Sequence, residues 1–156
     1  MVAIVARELN IPINIHQLDY EKNEHLSEKY VNINSHHKVT TIVDGNFILW
    51  ESRAIITYLI NKYSPGHKLY PSDPKTRAKI DAILHFDNWI LFQYIMAYCF
   101  PRYYNRNEYG FTTGQTYKNH LYTLDRLLVG KKYLVENKVT FADLSCVMLR
   151  VILKIN

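Results

Sequence analysis

Glu51-Ser52-Arg53 sets an acid, a hydroxyl and a base side by side just after an apolar run and just before a helical pattern. Ser52 falls where a helix presents unpaired backbone N–H groups and the positive end of its dipole, a natural seat for a carboxylate or phosphate. Glu51 supplies a negative charge suited to an ammonium, and Arg53 adds a positive one. An amino-acid zwitterion, with its carboxylate and ammonium ends, suits that arrangement. The same three residues also fit an ordinary Ser cap with solvated flanking charges. Other reactive groups are sparser. Cys99 and Cys146 stand alone, without Cys-x-x-Cys spacing, as expected of free thiols in a reducing cytosol. The seven His residues form no His-Glu-x-x-His pattern, and His36-His37 has no nearby carboxylate in sequence, so no metal site is expected.

The elements that must position Glu51–Arg53 are legible on both sides. Thr41-Ile42-Val43 reads as a strand, Asp44-Gly45-Asn46 as a tight turn, and Phe47-Ile48-Leu49-Trp50 as the returning strand. Ile55, Ile56, Leu59, Ile60 and Tyr63 then recur at helical spacing until Ser64-Pro65-Gly66 stops the helix. Hydrophobic residues make up 48% of the 156-residue chain and charged residues 21%, which excludes a disordered chain. The net charge of +5 comes from scattered Lys and Arg, with no basic run interleaved with aromatics, so no nucleic-acid partner is expected. No apolar stretch reaches membrane-spanning length, so no membrane partner is expected either.

Upstream, Met1 to Leu9 reads as a helix with Val2, Val5, Ala6 and Leu9 on one face, stopped by Asn10 and Pro12. Ile13 to Leu18 is expected to be a short strand, and 19–29 a polar loop with a short helix. Downstream, Gly66 to Pro71 reads as a linker, and Asp73-Pro74 as an N-cap with proline at the first helical position. The helix it opens is expected to run to about Phe100, with Ile80, Ile83, Leu84, Leu91, Tyr94, Ile95 and Tyr98 as its stripe. Asp87 falls on that stripe and needs a partner there. A further helix is expected from Thr116 to Val129, with Tyr117, Leu121, Leu124 and Leu128 inward and Gly130 as its stop. Thr140-Phe141-Ala142-Asp143 has the form of a capping box stapled by Val139 and Leu144, and Leu144, Val147, Met148 and Val151 are expected to be buried.

The run from Asp44 through Trp50, Glu51, Ser52, Arg53 and Ala54 to Ile55, continued by Tyr58-Leu59 and Lys62-Tyr63, resembles the glutathione-binding half of the cytosolic glutathione transferases. The insect delta and epsilon classes are the most similar, and Leu69-Tyr70-Pro71 and Thr140–Asp143 extend the resemblance over nearly the whole chain. It implies an α/β thioredoxin-like domain over 1–65, lacking its first strand, followed by an all-helical domain over 72–156. It implies that Glu51 and Ser52 hold the γ-glutamyl ammonium and carboxylate of glutathione, with Arg53 in support. Val39 would offer its backbone to the cysteinyl part and His37 would sit near the glycyl carboxylate. Asp87 would border the same cleft as partner to Arg53. Phe92, Ile95, Phe100 and Tyr104 would line the hydrophobic co-substrate site, although aromatics at helical spacing are more often core.

Two departures accompany the resemblance. Thr40 stands where the family has a cis-proline. The family's catalytic Ser, with the strand before it, would lie upstream of Met1, and the last helices would lie beyond Asn156, so the chain reads as a fragment with weak or no conjugating activity of its own. The implied activity is conjugation of the glutathione thiolate to hydrophobic electrophiles, by a cytoplasmic homodimer that uses glutathione as co-substrate and no other cofactor. A non-catalytic transferase-like binding or scaffold domain, such as those of elongation-factor gamma subunits, is the alternative. The Arg53–Asp87 pairing is checked by a double-mutant cycle in glutathione affinity. The expected coupling between Arg53→Ala and Asp87→Ala is roughly 0.5–3 kcal/mol, and purely additive effects would exclude the pair.

Overall fold

The computed structural model describes the backbone of residues 1–93 and 113–154, and the side chains of 1–93 and 121–147. The chain divides into two compact units, Met1–Gly66 and His67–Asn156.

The first unit opens with helix α1 (Val2–Glu8), whose Val2, Val5 and Ala6 are buried. A short 3₁₀ turn (Glu24–Leu26) and helix α2 (Glu28–Val31) follow, the latter capped by the Ser27 hydroxyl, which accepts from the Tyr30 N–H at 3.3 Å. Strands β1 (Thr41–Asp44) and β2 (Phe47–Trp50) form an antiparallel hairpin with Thr41 opposite Trp50 and Asp44 opposite Phe47. Of its two loop residues only Gly45 has a positive φ, of 64°, which glycine accepts without a Cβ penalty. Helix α3 (Ser52–Tyr63) then packs on α1 and on the hairpin, burying Ile55, Ile56, Leu59 and Ile60 as the spacing predicts.

The expected strand at Ile13–Leu18 does not form. Residues 13–18 carry no ladder, and Ile13 and Ile15 stay exposed at 42% and 69%. Alternating apolar residues make a strand only where a neighbour supplies hydrogen bonds, and among the described residues the sheet consists of β1 and β2.

A cluster below the hairpin turn ties it to α3. The Asp44 carboxylate accepts from Tyr58 Oη at 2.9 Å, Lys62 Nζ at 2.8 Å and Tyr63 Oη at 2.8 Å, all on Oδ2. Tyr63, expected on the buried stripe, is instead 46% exposed, its ring reaching out to this carboxylate. Asp44 thus closes β1 instead of serving as a loop residue.

In the second unit, residues 67–71 are anchored, which corrects the reading of Gly66–Pro71 as a plain linker. Leu69 and Tyr70 are buried, the Leu69 carbonyl accepts from the Phe141 N–H at 2.7 Å, and Tyr70 Oη donates to Asp81 at 2.8 Å. Helix α4 (Pro74–Phe86) starts as expected, the Asp73 carboxylate accepting from the Thr76 N–H at 2.8 Å with Pro74 in the first turn. The long helix is not uniform, because Asp87–Leu91 forms a π-helical turn before 92–93 resume. Asp87 is fully buried in that turn and accepts a hydrogen bond from the Ser145 hydroxyl. Helix α5 (Thr113–Leu128) begins three residues before the expected start, and helix α6 (Phe141–Lys154) follows the crossover.

The box at the start of α6 works in modified form. Asp143 Oδ2 accepts from both the Thr140 N–H (2.8 Å) and the Thr140 hydroxyl (2.9 Å), and Oδ1 accepts from the Leu134 N–H at 2.8 Å. The shorter Asp therefore serves the reach-back role usually filled by Glu or Gln and also secures the preceding loop. The buried face of α6 differs from expectation. Phe141, Ala142, Ser145 and Cys146 are buried, whereas Val147 is 56% exposed and Leu144 half-buried. Small residues let α6 approach α4 and the π turn closely, and a larger side chain is thereby displaced to the flank. The side chains of Met148 and Val151 lie outside the described residues.

The Asp44 cluster makes a testable statement about pH. The Lys62 ammonium, with the Tyr63 and Tyr58 hydroxyls, holds the Asp44 carboxyl below its ordinary 3.8, at about 2. A depressed folded-state value means that the cluster stabilises the unit above pH 3.8 and loses its contribution as pH falls toward about 2. Carboxyl NMR titration is expected to place Asp44 near the lower value and to return it toward the ordinary one in Lys62→Met. An unchanged titration in that variant would refute the assignment of cause.

Candidate functional site

The junction between β2 and α3 is reached by a backbone reversal at Glu51, which has φ 69° and ψ 105°. This is a region that non-glycine residues rarely occupy, at a cost of about 1–3 kcal/mol, and such outliers concentrate at functional sites. Glu51 caps the helix through its backbone alone, its carbonyl accepting from the Ile55 N–H at 2.9 Å, and its carboxylate makes no cap hydrogen bond. The carboxylate stays exposed beside a helix N-terminus. An acid normally turns inward to satisfy first-turn amides; here it is left available, as recognition of an ammonium requires.

Beside it lies a cavity of about 230 Å³ lined by Asn34, His36, Lys38, Val39, Thr40, Trp50 and Glu51. That is a little below the roughly 300–1,000 Å³ of drug-sized ligand pockets, enough for part of a small peptide ligand. Its floor is held by a buried amide. Asn34 is 1% exposed, donates from Nδ2 to the Lys38 carbonyl (2.9 Å) and Thr41 Oγ1 (3.0 Å), and accepts from the His36 N–H at Oδ1 (3.0 Å). Tyr30 Oη donates to the same Lys38 carbonyl at 2.6 Å, so the irregular loop over 34–40 is fixed from two sides. The His36 ring packs tilted on Trp50 with centroids 4.7 Å apart, forming an aromatic wall. The peptide between Val39 and Thr40 is cis, the isomer found at the family's proline.

The residues expected from sequence meet this cavity unequally. Val39 and Glu51 line it, with Ser52 and Arg53 next in chain and half-buried. His37 does not line it. Its φ is 56° and its Nδ1 is buried without a hydrogen-bond partner among the described residues, while the preceding His36 takes the cavity position. Asn34, His36, Lys38 and Trp50 were not anticipated as site residues. The available signal was local: Asn34 precedes Ser35 in a turn-forming pair, and a polar residue there with no helix to cap points to a loop-fixing role. A larger, open concavity of about 520 Å³ is lined by Gln17 to Glu21, five consecutive residues, and brings no separate elements together. In the second unit, Phe92 is half-buried and Asp87 is bonded by Ser145. Ile95, Phe100 and Tyr104 lie outside the described residues.

The strained reversal separates two roles of Glu51. Glu51→Gly removes the carboxylate and relieves the backbone, whereas Glu51→Ala removes the carboxylate and keeps the strain. Glu51→Gly is therefore expected to be the more stable variant by about 1–2 kcal/mol in urea denaturation. Equal stability would show that the positive φ is not retained in solution.

Comparison with known proteins identifies the fold. The family profile of the glutathione S-transferase N-terminal domain matches residues 1–61. The structure of the Bombyx mori glutathione transferase BmGSTD1 is 32% identical, with a TM-score of 0.90, over 96% of this chain and 69% of that one. A Nilaparvata lugens delta-class glutathione transferase is also 32% identical, with a TM-score of 0.87, over 94% and 68% of the two chains. An epsilon-class glutathione S-transferase from the housefly Musca domestica is 28% identical, with a TM-score of 0.86, over 96% and 69%. With its thioredoxin-like first unit, its helical second unit and these likenesses, the chain belongs to the glutathione transferase family, closely similar to the insect delta and epsilon classes.

Proposed function

We propose that the cavity beside Glu51 binds glutathione and presents its thiolate to a hydrophobic electrophile. The observation that carries this reading is the Glu51 reversal: a residue held at φ 69° with an uncommitted carboxylate, at the start of a helix and on the rim of a cavity. Glu51 takes the γ-glutamyl ammonium, and Ser52 with the amides of the first turn takes the γ-glutamyl carboxylate. Arg53 supports that end by charge. Val39 offers backbone groups to the cysteinyl part. For the glycyl carboxylate, His36 and Lys38 on the cavity wall join His37 as candidate hydrogen-bond donors. Thiolate formation is the chemical purpose of the site, since the thiolate is the nucleophile. Phe92, with Ile95, Phe100 and Tyr104, is assigned to the electrophile side.

The reading extends to a homodimer in a reducing cytosol, in keeping with Cys146, a buried cysteine in no disulfide, and with the family. No helix among the described residues is long and apolar enough to cross a membrane.

Calorimetric titration of the full chain with glutathione tests the site. Binding is expected, with affinity lowered about 10–100-fold in Glu51→Ala, because a charge-assisted contact of roughly 1.5–3 kcal/mol is lost. Absence of binding by the unmodified chain would overturn the proposal. Binding without any conjugation of an activated aryl halide would favour the scaffold reading over the enzyme.

A further inference from the structure

Among the described residues that line the cavity, Thr40 alone carries a hydroxyl. That hydroxyl is chemically idle. Thr40 is exposed, and neither its Oγ1 nor its N–H is engaged by another described residue. The contrast with its neighbour is informative. Thr41 Oγ1 is consumed by the loop, lying 3.0 Å from Tyr30 Oη, 3.0 Å from Asn34 Nδ2 and 3.3 Å from the Lys38 carbonyl. The Asn34 amide, a second neutral donor on the wall, is committed. Asn34 Nδ2 already donates to Lys38 and Thr41, and the Trp50 ring packs on His36. Proline at position 40 would bring neither an N–H nor an O–H, so this chain has two donors at a cavity position where such a residue has none.

We propose that the Thr40 hydroxyl is a catalytic residue of this chain, donating a hydrogen bond to the ligand sulfur and stabilising its thiolate. The inference rests on the glutathione reading above, in which the preceding residue, Val39, holds the cysteinyl part. The step balances simply. The thiol gives its proton to solvent, and the resulting sulfur anion accepts the Thr40 Oγ–H bond. A sulfur electron pair then forms the bond to the electrophilic carbon as the leaving group departs with its own pair. A neutral hydroxyl suits the task because it favours the anion without forming the tight ion pair that would blunt its attack. Lys38, the ammonium on the same wall, is assigned to a carboxylate instead.

The test follows the thiolate ultraviolet absorbance of glutathione bound to the full chain as a function of pH, in the unmodified protein and in Thr40→Val, Thr40→Ser, Lys38→Met and His36→Gln. Thr40→Val is expected to raise the apparent thiol pKa by about one unit, a roughly tenfold loss of thiolate at a given pH. Thr40→Ser is expected to keep the unmodified value, with glutathione affinity changed less than about threefold in either variant. If Thr40→Val does not fold by circular dichroism, Thr40→Ala replaces it. Bound glutathione with the same thiol pKa in the unmodified protein and Thr40→Val would overturn the Thr40 role and leave the binding proposal standing. So would a shift seen in Lys38→Met or His36→Gln but not at Thr40. Failure of the unmodified chain to bind glutathione at all would overturn the binding proposal itself.

Discussion

The burial of Ile55, Ile56, Leu59 and Ile60 against α1 is the constraint from which the first unit follows. Four fully or nearly fully buried aliphatic side chains, each worth about 1.5–3 kcal/mol when withdrawn from water, set the rotation of α3 about its own axis. With that rotation set, the chain leaving β2 must turn sharply to enter the helix, and Glu51 takes the positive φ that makes the turn possible. The apolar stripe therefore supplies the stabilisation that offsets a strained residue, and the strained residue is the one that presents a carboxylate at the cavity rim. Asp44 completes the arrangement from the other side by joining the hairpin turn to Tyr58, Lys62 and Tyr63.

A second constraint operates in the loop over 34–40. No ladder of backbone hydrogen bonds runs through it, so side chains hold it: the buried Asn34 amide and the Tyr30 hydroxyl of α2. Asn34 uses both its donor and its acceptor capacity on backbone and side-chain groups within seven residues of itself. A loop fixed in this way can carry His36, Lys38, Val39 and Thr40 to one wall without any periodic pattern. The site is thus part helix start and part clamped loop, and the two halves owe their geometry to different physics.

That difference explains what was legible in the sequence. The hairpin, α3 and its stop were readable because Gly45, the aliphatic spacing and Ser64-Pro65-Gly66 are local signals with local causes. Glu51 was singled out from its place between the apolar run and the helix, and Val39 from the family resemblance alone; both line the cavity. His36 lines the cavity and His37 does not, because backbone dihedrals in an irregular loop separate adjacent side chains in a way that no spacing rule records. Ile13–Leu18 read as a strand because alternation is visible in a segment, whereas the partner that a strand needs is not. The buried face of α6 was misjudged at Val147 for a related reason: hydrophobicity pointed to the large residue, but close helix packing selected Ala142, Ser145 and Cys146. The π turn at Asp87 carries no compositional mark at all.

The Asp44 cluster also bears on how the first unit is assembled in time. Its three hydrogen bonds join residues 14, 18 and 19 positions apart, all between β1 and α3. Closing loops of that size carries a modest entropic penalty that grows only slowly with length, and such closures occur far faster than pairing of distant segments. Residues 41–63 therefore form a low-contact-order module, able to bring hairpin and helix together before α1 arrives from the far end of the unit to cover the aliphatic face. The order of assembly would then run from the hairpin and α3 outward to α1, whose docking covers the aliphatic face last.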